Sequence, residues 1–399
     1  MTSVAELREK FRSRFQSECE VFRAPGRVNL IGEHTDYNEG FVFPAAIGYF
    51  CWVAISARQD RKLVAYSENF DEVREASLDA MPDRSSGGWF DYPLGVARAL
   101  DRGGKRLRGA NLYFVGEVPF GAGLSSSAAV EVATGFALLR ASGLPVDLRE
   151  LALAAQGAEN EFVGAHCGIM DQFVSCFGLT GNALLLDCRS LAFDLVPIPA
   201  GVDLVVCNTM VKHSVGGGEY NARRSECEEA VRRLRTALPA VRALRDVSVA
   251  DLERHDGLLD ATLLKRVRHV VTENARVHQF ATALRGGDWK AAGDSMAASH
   301  KSLREDYEVS CAELNLMVEL AVVLPGCRGA RMTGAGFGGC TINFVDGESS
   351  AAFCRAIADR YSAKTGVCPD AYICEAANGV EKVIESAASS NVVRSARKP

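Results

Sequence analysis

The chain has 399 residues, of which 48% are hydrophobic and 24% are charged, and its formal net charge is −5. This length is enough for one large composite domain or two to three smaller ones, and the composition is typical of globular proteins. The negative net charge argues against a nucleic-acid partner, and no apolar run reaches the roughly 18 residues needed to cross a membrane.

The cysteines indicate the redox compartment. There are thirteen of them, an odd number, and none forms a CxxC pair. Free thiols are typical of a reducing compartment, whereas a disulfide framework is typical of secreted proteins. The first fifteen residues include Glu6 and Glu9 and contain no apolar segment of the kind found in signal peptides. We therefore expect a cytoplasmic protein.

The first half of the chain alternates predicted helices and strands. Val4, Leu7, Phe11 and Phe15 recur at helical spacing and predict an opening amphipathic helix. The elements that follow are strands within 41–66, a strand at 111–118 with Leu112, Phe114 and Val118 on one face, helices at 128–143 and 148–164, and a strand at 182–187.

A buried-type strand at 202–209 begins the second half, and a long amphipathic helix over 219–238 follows it. Further helices then alternate with the strand 340–345. This mixture predicts an α+β protein of two lobes. We expect an N-terminal lobe over 1–197, a C-terminal lobe over 198–385 and a flexible tail over 386–399.

The stretch GRVNLIGEHTDYN, residues 26–38, places polar residues between apolar runs. Glu33, His34 and Asp36 allow three interpretations: metal ligands, a solvated turn, or a site for a small polyol. No further histidine or cysteine at suitable spacing completes a zinc-type ligand set. Carboxylates and an imidazole supply the donors and acceptors that distinguish sugar hydroxyls.

The loop VPFGAGLSSSAA, residues 118–129, lies between a predicted strand and a predicted helix. Backbone N–H groups and the helix dipole at such a place favour a phosphate group, and Gly121 and Gly123 allow the backbone to approach it closely. The alternative is an ordinary turn whose serines cap the helix. The loop has no lysine and is therefore not a Walker A motif, and Ser126 occupies the position of the third glycine in a dinucleotide fingerprint.

A formal GxGxxG occurs at 334–339, but a predicted strand follows it where a dinucleotide fold requires a helix. We therefore expect these glycines to shape a tight loop, against a ligand or against the other glycine loop, and a simple hairpin remains an alternative. Residues 166–173, HCGIMDQF, place Asp171 among apolar neighbours. It is either a paired, partly buried carboxylate or a helix N-cap, and Glu159 is either its partner in a site or a surface residue.

These stretches together resemble known sequences. GRVNLIGEHTDYN resembles the galactokinase signature, VPFGAGLSSSAA resembles the phosphate loop of the GHMP small-molecule kinases, and RMTGAGFGGC is similar to their C-terminal glycine motif. The resemblance covers residues from about 20 to about 380. The departures are Ala335, where many relatives have glycine, and His166, where proline is frequent; neither is at a position that the family uses for chemistry.

The resemblance implies a two-lobed GHMP-kinase fold with the active site in the cleft between the lobes. It also implies an ATP-dependent kinase that phosphorylates the anomeric hydroxyl of galactose, with ATP and Mg²⁺ as cofactors. Asp171 matches the catalytic aspartate and Arg27 the arginine that assists it and keeps it ionised. Ser127 and Glu159 match the Mg²⁺ ligands.

The other residues that the resemblance implies fall into two groups. The sugar-binding group is Glu33, His34, Thr35, Asp36, Gly168 and Tyr220. The nucleotide-binding group is Gly121, Ala122, Gly123, Leu124, Ser125, Ser126, Ser127, Ser67 and Trp89.

Three alternatives remain at this point. One is a kinase for N-acetylgalactosamine or another sugar, which would share the phosphate machinery. Another is a non-catalytic galactose sensor of the same fold, although such a protein need not retain Asp171 or the serine loop. The third, a dinucleotide-dependent oxidoreductase, conflicts with the order of elements around 334–339. The expected partners are a sugar and ATP, and the expected assembly is a monomer.

Overall fold

The structure is a computed structural model that describes residues 2–212 and 218–384. The tail predicted over 386–399 lies outside the described residues. The helices are α1 (Val4–Phe15), α2 (Asp91–Arg102), α3 (Ser126–Ala141), α4 (Leu148–Ala158), α5 (Met170–Phe177), α6 (Gly218–Leu234), α7 (Val249–His255), α8 (Ala261–Gly286), α9 (Trp289–Glu305), α10 (Ala312–Val322) and α11 (Gly347–Thr365).

The strands are β1 (Glu20–Asn29), β2 (Phe41–Val42), β3 (Pro44–Ala57), β4 (Lys62–Ser67), β5 (Glu72–Ser77), β6 (Ala110–Gly116), β7 (Asn182–Asp187), β8 (Phe193–Pro197), β9 (Val202–Lys212), β10 (Cys327–Thr333), β11 (Gly338–Asp346), β12 (Asp370–Cys374) and β13 (Glu381–Lys382). Among the described residues, no helix is long and apolar enough to cross a membrane.

In the described ranges the strands form three sheets. The first has the order β13-β1-β3-β6-β4-β5, the second β10-β11-β9-β12 and the third β2-β7-β8. All neighbouring pairs are antiparallel except β4 and β6. Strand β13 pairs with β1, and Phe22 lies opposite Lys382. The first sheet therefore contains the first and the last of the described strands as neighbours.

Helices cover both faces of the first sheet. On one face, α3 packs against β1 and β3, and α2, α4 and α5 complete this layer. On the other face, Leu7 and Phe11 of α1 pack with Val21 and Trp52. Because both faces are covered, β1 and β3 are buried along most of their length, and β3 is a nearly continuous apolar run.

The second sheet is also covered on both faces. Helices α10 and α11 pack on one face, where Tyr361 and Ile357 contact the β9 layer. On the other face, Phe344 stacks on Phe280 of α8 with ring centroids 5.9 Å apart. Phe280 in turn meets Phe43, from the first half, at 5.3 Å. One apolar core therefore joins the two halves of this α+β fold, and the boundary near residue 197 stays a prediction.

Several predicted elements are confirmed, with corrected ends. The strand over 182–187 is found with the predicted bounds, and the opening helix begins at Val4 and ends at Phe15. The helix predicted over 219–238 ends at Leu234. The α-helix predicted over 148–164 ends at Ala158, and a π-helical turn, Glu159–Val163, follows it. Val118 lies outside β6.

Candidate active site

Arg27 and Asp171 form an ion pair in which Arg27 is buried and Asp171 is partly buried. Arg27 lies near the end of β1, and Asp171 is the second residue of α5. The guanidinium contacts both carboxylate oxygens, with Nε 2.8 Å from Oδ1 and Nη2 2.9 Å from Oδ2. This two-point geometry fixes the plane of the carboxylate. The alternative in which Asp171 caps the helix is wrong, because Ile169 occupies the cap position.

Arg27 also connects this pair to the loop Gly121–Ser127, which we call the serine-glycine loop. Its Nη1 donates to the carbonyl oxygen of Gly123 at 2.5 Å, and its backbone N–H donates to Leu124 at 3.0 Å. Burial opposes the guanidinium charge, but the nearby carboxylates, Asp171 first, outweigh it and raise the pKa of Arg27 above its ordinary value. Arg27 is therefore cationic at all relevant pH values.

The serine-glycine loop has the backbone that its glycines predict. Gly121 and Gly123 have φ angles of 67° and 75°, and Ser125 also adopts the left-handed conformation at 60°. Ser125 occupies the N-cap position of α3, yet its hydroxyl does not cap the helix. It donates instead to Oδ2 of Asp171 at 2.5 Å. The capping interpretation is therefore wrong for Ser125, whose hydroxyl belongs to the ion pair.

The loop 334–339, which we call the C-terminal glycine loop, packs directly on the serine-glycine loop. A Cβ atom on Gly334 would lie 3.0 Å from the carbonyl oxygen of Gly123, and one on Gly339 would lie 3.2 Å from that of Ala122. Only glycine tolerates both this approach and the positive φ angles found here. The expectation that these glycines shape a tight loop against the other glycine loop is confirmed.

A cavity of about 420 Å³ opens beside the serine-glycine loop. Its lining includes Ser67, Trp89, Ser126 and Ser127, so two residues predicted near the nucleotide share one cavity with the loop. The indole N–H of Trp89 donates to Glu72 at 2.7 Å, which fixes the ring on the cavity wall. Further aromatic rings at the rim of this cavity are Phe70 and Phe120, which are 52% and 47% exposed.

Glu159 lies behind the loop and is 8% exposed, so its interpretation as a surface residue is wrong. It accepts hydrogen bonds from Ser127 and, at 2.7 Å, from the side-chain amide of Gln172. Burial, followed by the charge of Asp171, raises the pKa of Glu159 to about 7. The two residues predicted to bind metal therefore lie together, and both present oxygen atoms.

A second buried carboxylate, Glu131 of α3, stands next to Glu159 and was not predicted. The amide of Gln172 reaches it at 3.1 Å, and burial, then the neighbouring Glu159, raises its pKa well above the ordinary value. Glu131 is the only charged residue between Ser127 and Leu139. A single carboxylate within an apolar helical segment was a signal that could have identified it.

Among the described residues, no group of three or more His, Cys, Asp or Glu side chains has the arrangement of a metal site. The Ser127 and Glu159 oxygens nevertheless have the chemistry that Mg²⁺ prefers, because this ion commonly takes one or two protein oxygens and completes its shell with phosphate oxygens and water.

The turn Glu33–Asp36, which we call the EHTD turn, lies near the ion pair, since the charges of Glu33 and Asp36 both act on Arg27. Glu33 is 1% exposed and accepts a hydrogen bond from Asn29 and, at 2.7 Å, one from the backbone N–H of Gly334. Arg331, itself fully buried, lies 3.6 Å from the same carboxylate. Burial raises the pKa of Glu33, while Arg331 acts in the opposite sense. Glu33 therefore joins the EHTD turn to the C-terminal glycine loop.

The polar atoms of His34 and Thr35 are engaged within the protein. The imidazole nitrogens of His34 contact the Tyr37 hydroxyl at 2.8 Å and the carbonyl oxygen of Ala335 at 3.1 Å. The hydroxyl of Thr35 lies 2.8 Å and 2.7 Å from the carbonyl oxygens of Gly32 and Phe41. These contacts hold the turn, and the sugar contacts expected of both residues stay a prediction.

Asp36, Gly168 and Tyr220 meet at the open side of the turn. A Cβ atom on Gly168 would collide with the carboxylate of Asp36, so a glycine is required there. Burial and the charge of Asp171 raise the pKa of Asp36 to about 7. The ring of Tyr220, in the first turn of α6, lies 5.6 Å from that of His34. The structure thus brings together residues from β1, the EHTD turn, α5 and α6.

Comparison with known proteins finds matches over most of the chain. The family model described as "Galactokinase galactose-binding signature" matches residues 9–57, "GHMP kinases N terminal domain" matches 91–179, and "GHMP kinases C terminal" matches 280–363. The galactokinase of Chloroflexus aggregans is 48% identical over 366 residues, which are 92% of this chain and 94% of that protein. That of Roseiflexus sp. is 45% identical over 388 residues, 97% and 99% of the two chains.

Solved structures of other proteins are similar to this one. The Lactococcus lactis galactokinase complexed with galactose superimposes with a TM-score of 0.93 at 38% identity, covering 96% of this chain and 100% of that one. A mevalonate kinase superimposes with a TM-score of 0.65 at 17% identity, covering 90% of this chain and 99% of that one. The second likeness concerns the fold alone.

Proposed function

The chain belongs to the galactokinase family of the GHMP kinases, and we propose that it transfers the γ-phosphate of ATP to the anomeric C1 hydroxyl of D-galactose, giving galactose 1-phosphate and ADP. The observation that carries this proposal is the ion pair of Arg27 and Asp171, which stands between the serine-glycine loop and the EHTD turn. A phosphoryl donor on one side and a sugar on the other would meet at this pair.

We propose that ATP binds in the cavity beside the serine-glycine loop. The cavity offers the aromatic wall of Trp89 for the base, and its Ser126 and Ser127 lie at the N-terminus of α3. The free N–H groups and the dipole at a helix N-terminus favour phosphate oxygens. Ser67, on the same wall, would face the nucleoside.

We propose that Ser127 and Glu159 hold Mg²⁺ once ATP is present. A bound Mg²⁺ would neutralise charge on the phosphate groups. The hydrogen bond between the two side chains indicates that their oxygens point to one place, and Gln172 holds the Glu159 carboxylate from behind.

We propose that the sugar lies between Asp36, Tyr220 and Asp171, against the Cα of Gly168. Asp171 would accept the hydrogen bond of the C1 hydroxyl and receive its proton as the bond to phosphorus forms. Arg27, which contacts both Asp171 and the serine-glycine loop, would stabilise the charge of the transferring phosphoryl group. Positioning and charge stabilisation are what phosphoryl transfer chiefly requires.

The experiment is an assay of purified protein with ATP, Mg²⁺ and a panel of hexoses, read by ADP release and by identification of the sugar phosphate. We expect rapid turnover with galactose and a product phosphorylated at C1. Turnover with N-acetylgalactosamine and not with galactose would show that N-acetylgalactosamine is the substrate and would contradict this proposal. Tight galactose binding without ADP release would instead favour the galactose sensor.

The metal assignment has its own test. The Glu159→Ala variant should require a higher Mg²⁺ concentration for half-maximal activity and should bind ATP in the presence of Mg²⁺ more weakly. Glu161→Ala is the matched control, since Glu161 is an exposed carboxylate in the same π-helical turn. Equal Mg²⁺ dependence in the two variants would remove Glu159 from the site.

We also propose a cytoplasmic location and a monomeric state. All thirteen cysteines are unpaired, which is the usual condition in a reducing compartment. Sedimentation of the purified protein at increasing concentration tests the monomer.

A further inference from the structure

Four side chains behind the EHTD turn form a continuous hydrogen-bonded chain. The thiol of Cys227 lies 3.1 Å from the hydroxyl of Tyr307, which lies 2.7 Å from the hydroxyl of Tyr37. The Tyr37 hydroxyl lies 2.8 Å from Nδ1 of His34, whose Nε2 lies 3.1 Å from the carbonyl oxygen of Ala335. This chain joins α6, the turn after α9, the EHTD turn and the C-terminal glycine loop.

The chemistry of the end group determines the direction of every hydrogen bond. A carbonyl oxygen only accepts, so Nε2 of His34 must carry a hydrogen atom. Burial lowers the pKa of His34 to about 3, so the ring is neutral and Nδ1 is an acceptor. Tyr37 therefore donates to His34. Having used its only hydrogen, Tyr37 accepts from Tyr307, and Tyr307 in turn accepts from Cys227.

The side chain of Tyr307 is fixed in position by its neighbours. It is fully buried, and its ring lies between two imidazoles, with centroids 4.7 Å from His34 and 4.6 Å from His269. His269 is also hydrogen-bonded to a backbone carbonyl group, since one of its ring nitrogens lies 3.1 Å from the carbonyl oxygen of Glu33. Arg223 fixes the backbone of Tyr307 by donating to its carbonyl oxygen at 2.8 Å.

His34 needs such support. Its backbone has a φ of 63°, a left-handed conformation that is unfavourable for a residue with a side chain. Two hydrogen bonds tie the EHTD turn to consecutive residues of the C-terminal glycine loop. Glu33 accepts from the N–H of Gly334, and His34 donates to the carbonyl oxygen of Ala335. That loop in turn packs on Gly123.

We propose that Tyr37 and Tyr307 are positioning residues for the EHTD turn: their hydroxyls hold the His34 imidazole in the Nε2–H tautomer, so that it donates to Ala335 and ties the turn to the C-terminal glycine loop. The ring of His34 then lies in a fixed position against the ring of Tyr220, and both of its nitrogens are engaged within the protein. The consequence for galactose binding rests on the proposed function, whereas the tautomer does not.

The first readout needs no substrate. In protein labelled with ¹⁵N-histidine, long-range ¹H–¹⁵N spectra separate nitrogens that carry hydrogen from those that do not, and His34→Gln identifies the signals of His34. We expect a neutral Nε2–H ring whose Nδ1 is hydrogen-bonded. Tyr37→Phe should shift the Nδ1 signal towards that of an unbonded nitrogen. Tyr307→Phe should shift it less, since Tyr37 can still donate.

The second readout is kinetic. Losing one buried hydrogen bond typically changes an equilibrium by about three- to tenfold. We expect Tyr37→Phe to raise KM for galactose by about that factor, with kcat and KM for ATP changed by less than about twofold. A residue that only stabilised the fold would lower the amount of active enzyme without this selective change in KM.

Tyr361→Phe is the matched control. Tyr361 is also fully buried, and its hydroxyl donates to a carbonyl oxygen, that of Thr209, at 3.2 Å in another core. We expect unchanged His34 signals and unchanged KM in this variant. A wild-type His34 protonated on Nδ1, or an Nδ1 signal unmoved by Tyr37→Phe, would overturn the proposal even if galactose is the substrate. If Tyr37→Phe does not fold, the wild-type ring decides, because hydrogen on Nδ1 overturns the proposal and hydrogen on Nε2 with a hydrogen-bonded Nδ1 supports it.

Discussion

At the scale of single residues, the carboxylate of Asp171 accepts hydrogen bonds from three donors, two on Arg27 and one on Ser125. Three donors stabilise its charge and fix the direction of its remaining lone pairs. In the proposed reaction, a sugar hydroxyl would therefore meet an acceptor that is already oriented, and no reorganisation would be needed.

Replacing Asp171 with Asn should reduce kcat by about 10²- to 10⁴-fold, because the amide is a poor acceptor and cannot take up a proton. The change also leaves the buried Arg27 without its partner, so the free energy of unfolding should fall by up to about 3–5 kcal/mol. Coupled ADP assays and urea unfolding measure the two effects. Ser125→Ala, which removes one donor and no charge, should affect both less. A near-normal kcat in Asp171→Asn would exclude this carboxylate from the reaction.

Asp36 should give the unliganded protein a pH-dependent stability. Burial raises its pKa from 3.8 to about 7, so between these values the folded protein holds a proton that the unfolded chain has released. The free energy of unfolding should therefore fall as the pH rises through this window. Glu33 and Glu159 act in the same sense, so the difference between the wild type and Asp36→Asn isolates Asp36. An identical slope in both proteins would contradict this pKa.

Some site residues could be predicted from the sequence, because their chemistry differs from that of the residues next to them. Asp171 is visible as an acidic residue among apolar neighbours, whereas Glu159 is indicated only by the family resemblance. Their partners were not derivable, because Arg27 stands 144 residues before Asp171 and only the fold brings them together. Tyr307 had no signal at all, since it contacts Tyr37 across 270 residues. A tyrosine at the end of a helix is indistinguishable from any other core residue until its partners are known.

At the scale of elements, α4 does not end where its apolar periodicity ends. The π-helical turn Glu159–Val163 follows it, and Glu159 is the first residue of this turn. Turns of this type are frequent at functional sites because they redirect side chains without breaking the helix. Periodicity predicted the helix through this region but not the wider turn, since the pattern of apolar residues is nearly the same in both.

Two glycines in this helical layer should respond oppositely to alanine. A Cβ atom on Gly135 of α3 would collide with Leu151 and with Val96, whereas one on Gly157 of α4 meets no atom within 4 Å. Gly135→Ala should destabilise the protein by about 1–3 kcal/mol through overpacking. Gly157→Ala should stabilise it by about 0.5–1 kcal/mol, because alanine loses less conformational freedom in a helix.

Urea unfolding followed by circular dichroism measures both glycine variants. Equal effects of the same sign would contradict the packing of α3 against α2 and α4. This packing positions Ser125 and Ser127 at the start of α3, so Gly135→Ala should also lower the affinity for ATP.

At the scale of the whole molecule, the two halves of the chain share one apolar core, in which Phe280 contacts Phe43 edge-to-face and stacks on Phe344. The sequence predicted the α+β class and the strands β2, β3, β4, β6, β7, β9 and β11, but not β1, which carries Arg27. It did not predict this joint core, because apolar periodicity shows that a face is buried and not which face it is buried against.

We therefore expect the halves to unfold together. The chain has three tryptophans, and variants that keep only Trp52 of β3 or only Trp289 of α9 report on different halves. Their fluorescence transitions in urea should have the same midpoint, as for a two-state protein. Two separate midpoints would show that the halves fold as independent domains.

The position of β13 has a consequence for protein synthesis. Strand β1, which carries Arg27, has β13 as its neighbour at the edge of the first sheet, and this pairing joins Phe22 to Lys382. A nascent chain on the ribosome exposes β1 among its first residues but leaves that edge open until residue 382 has emerged. Unpaired strand edges favour aggregation, and distant pairings form slowly. Slow translation of the last third would prolong this exposure, so chaperone demand should rise with the time between the synthesis of β1 and that of β13.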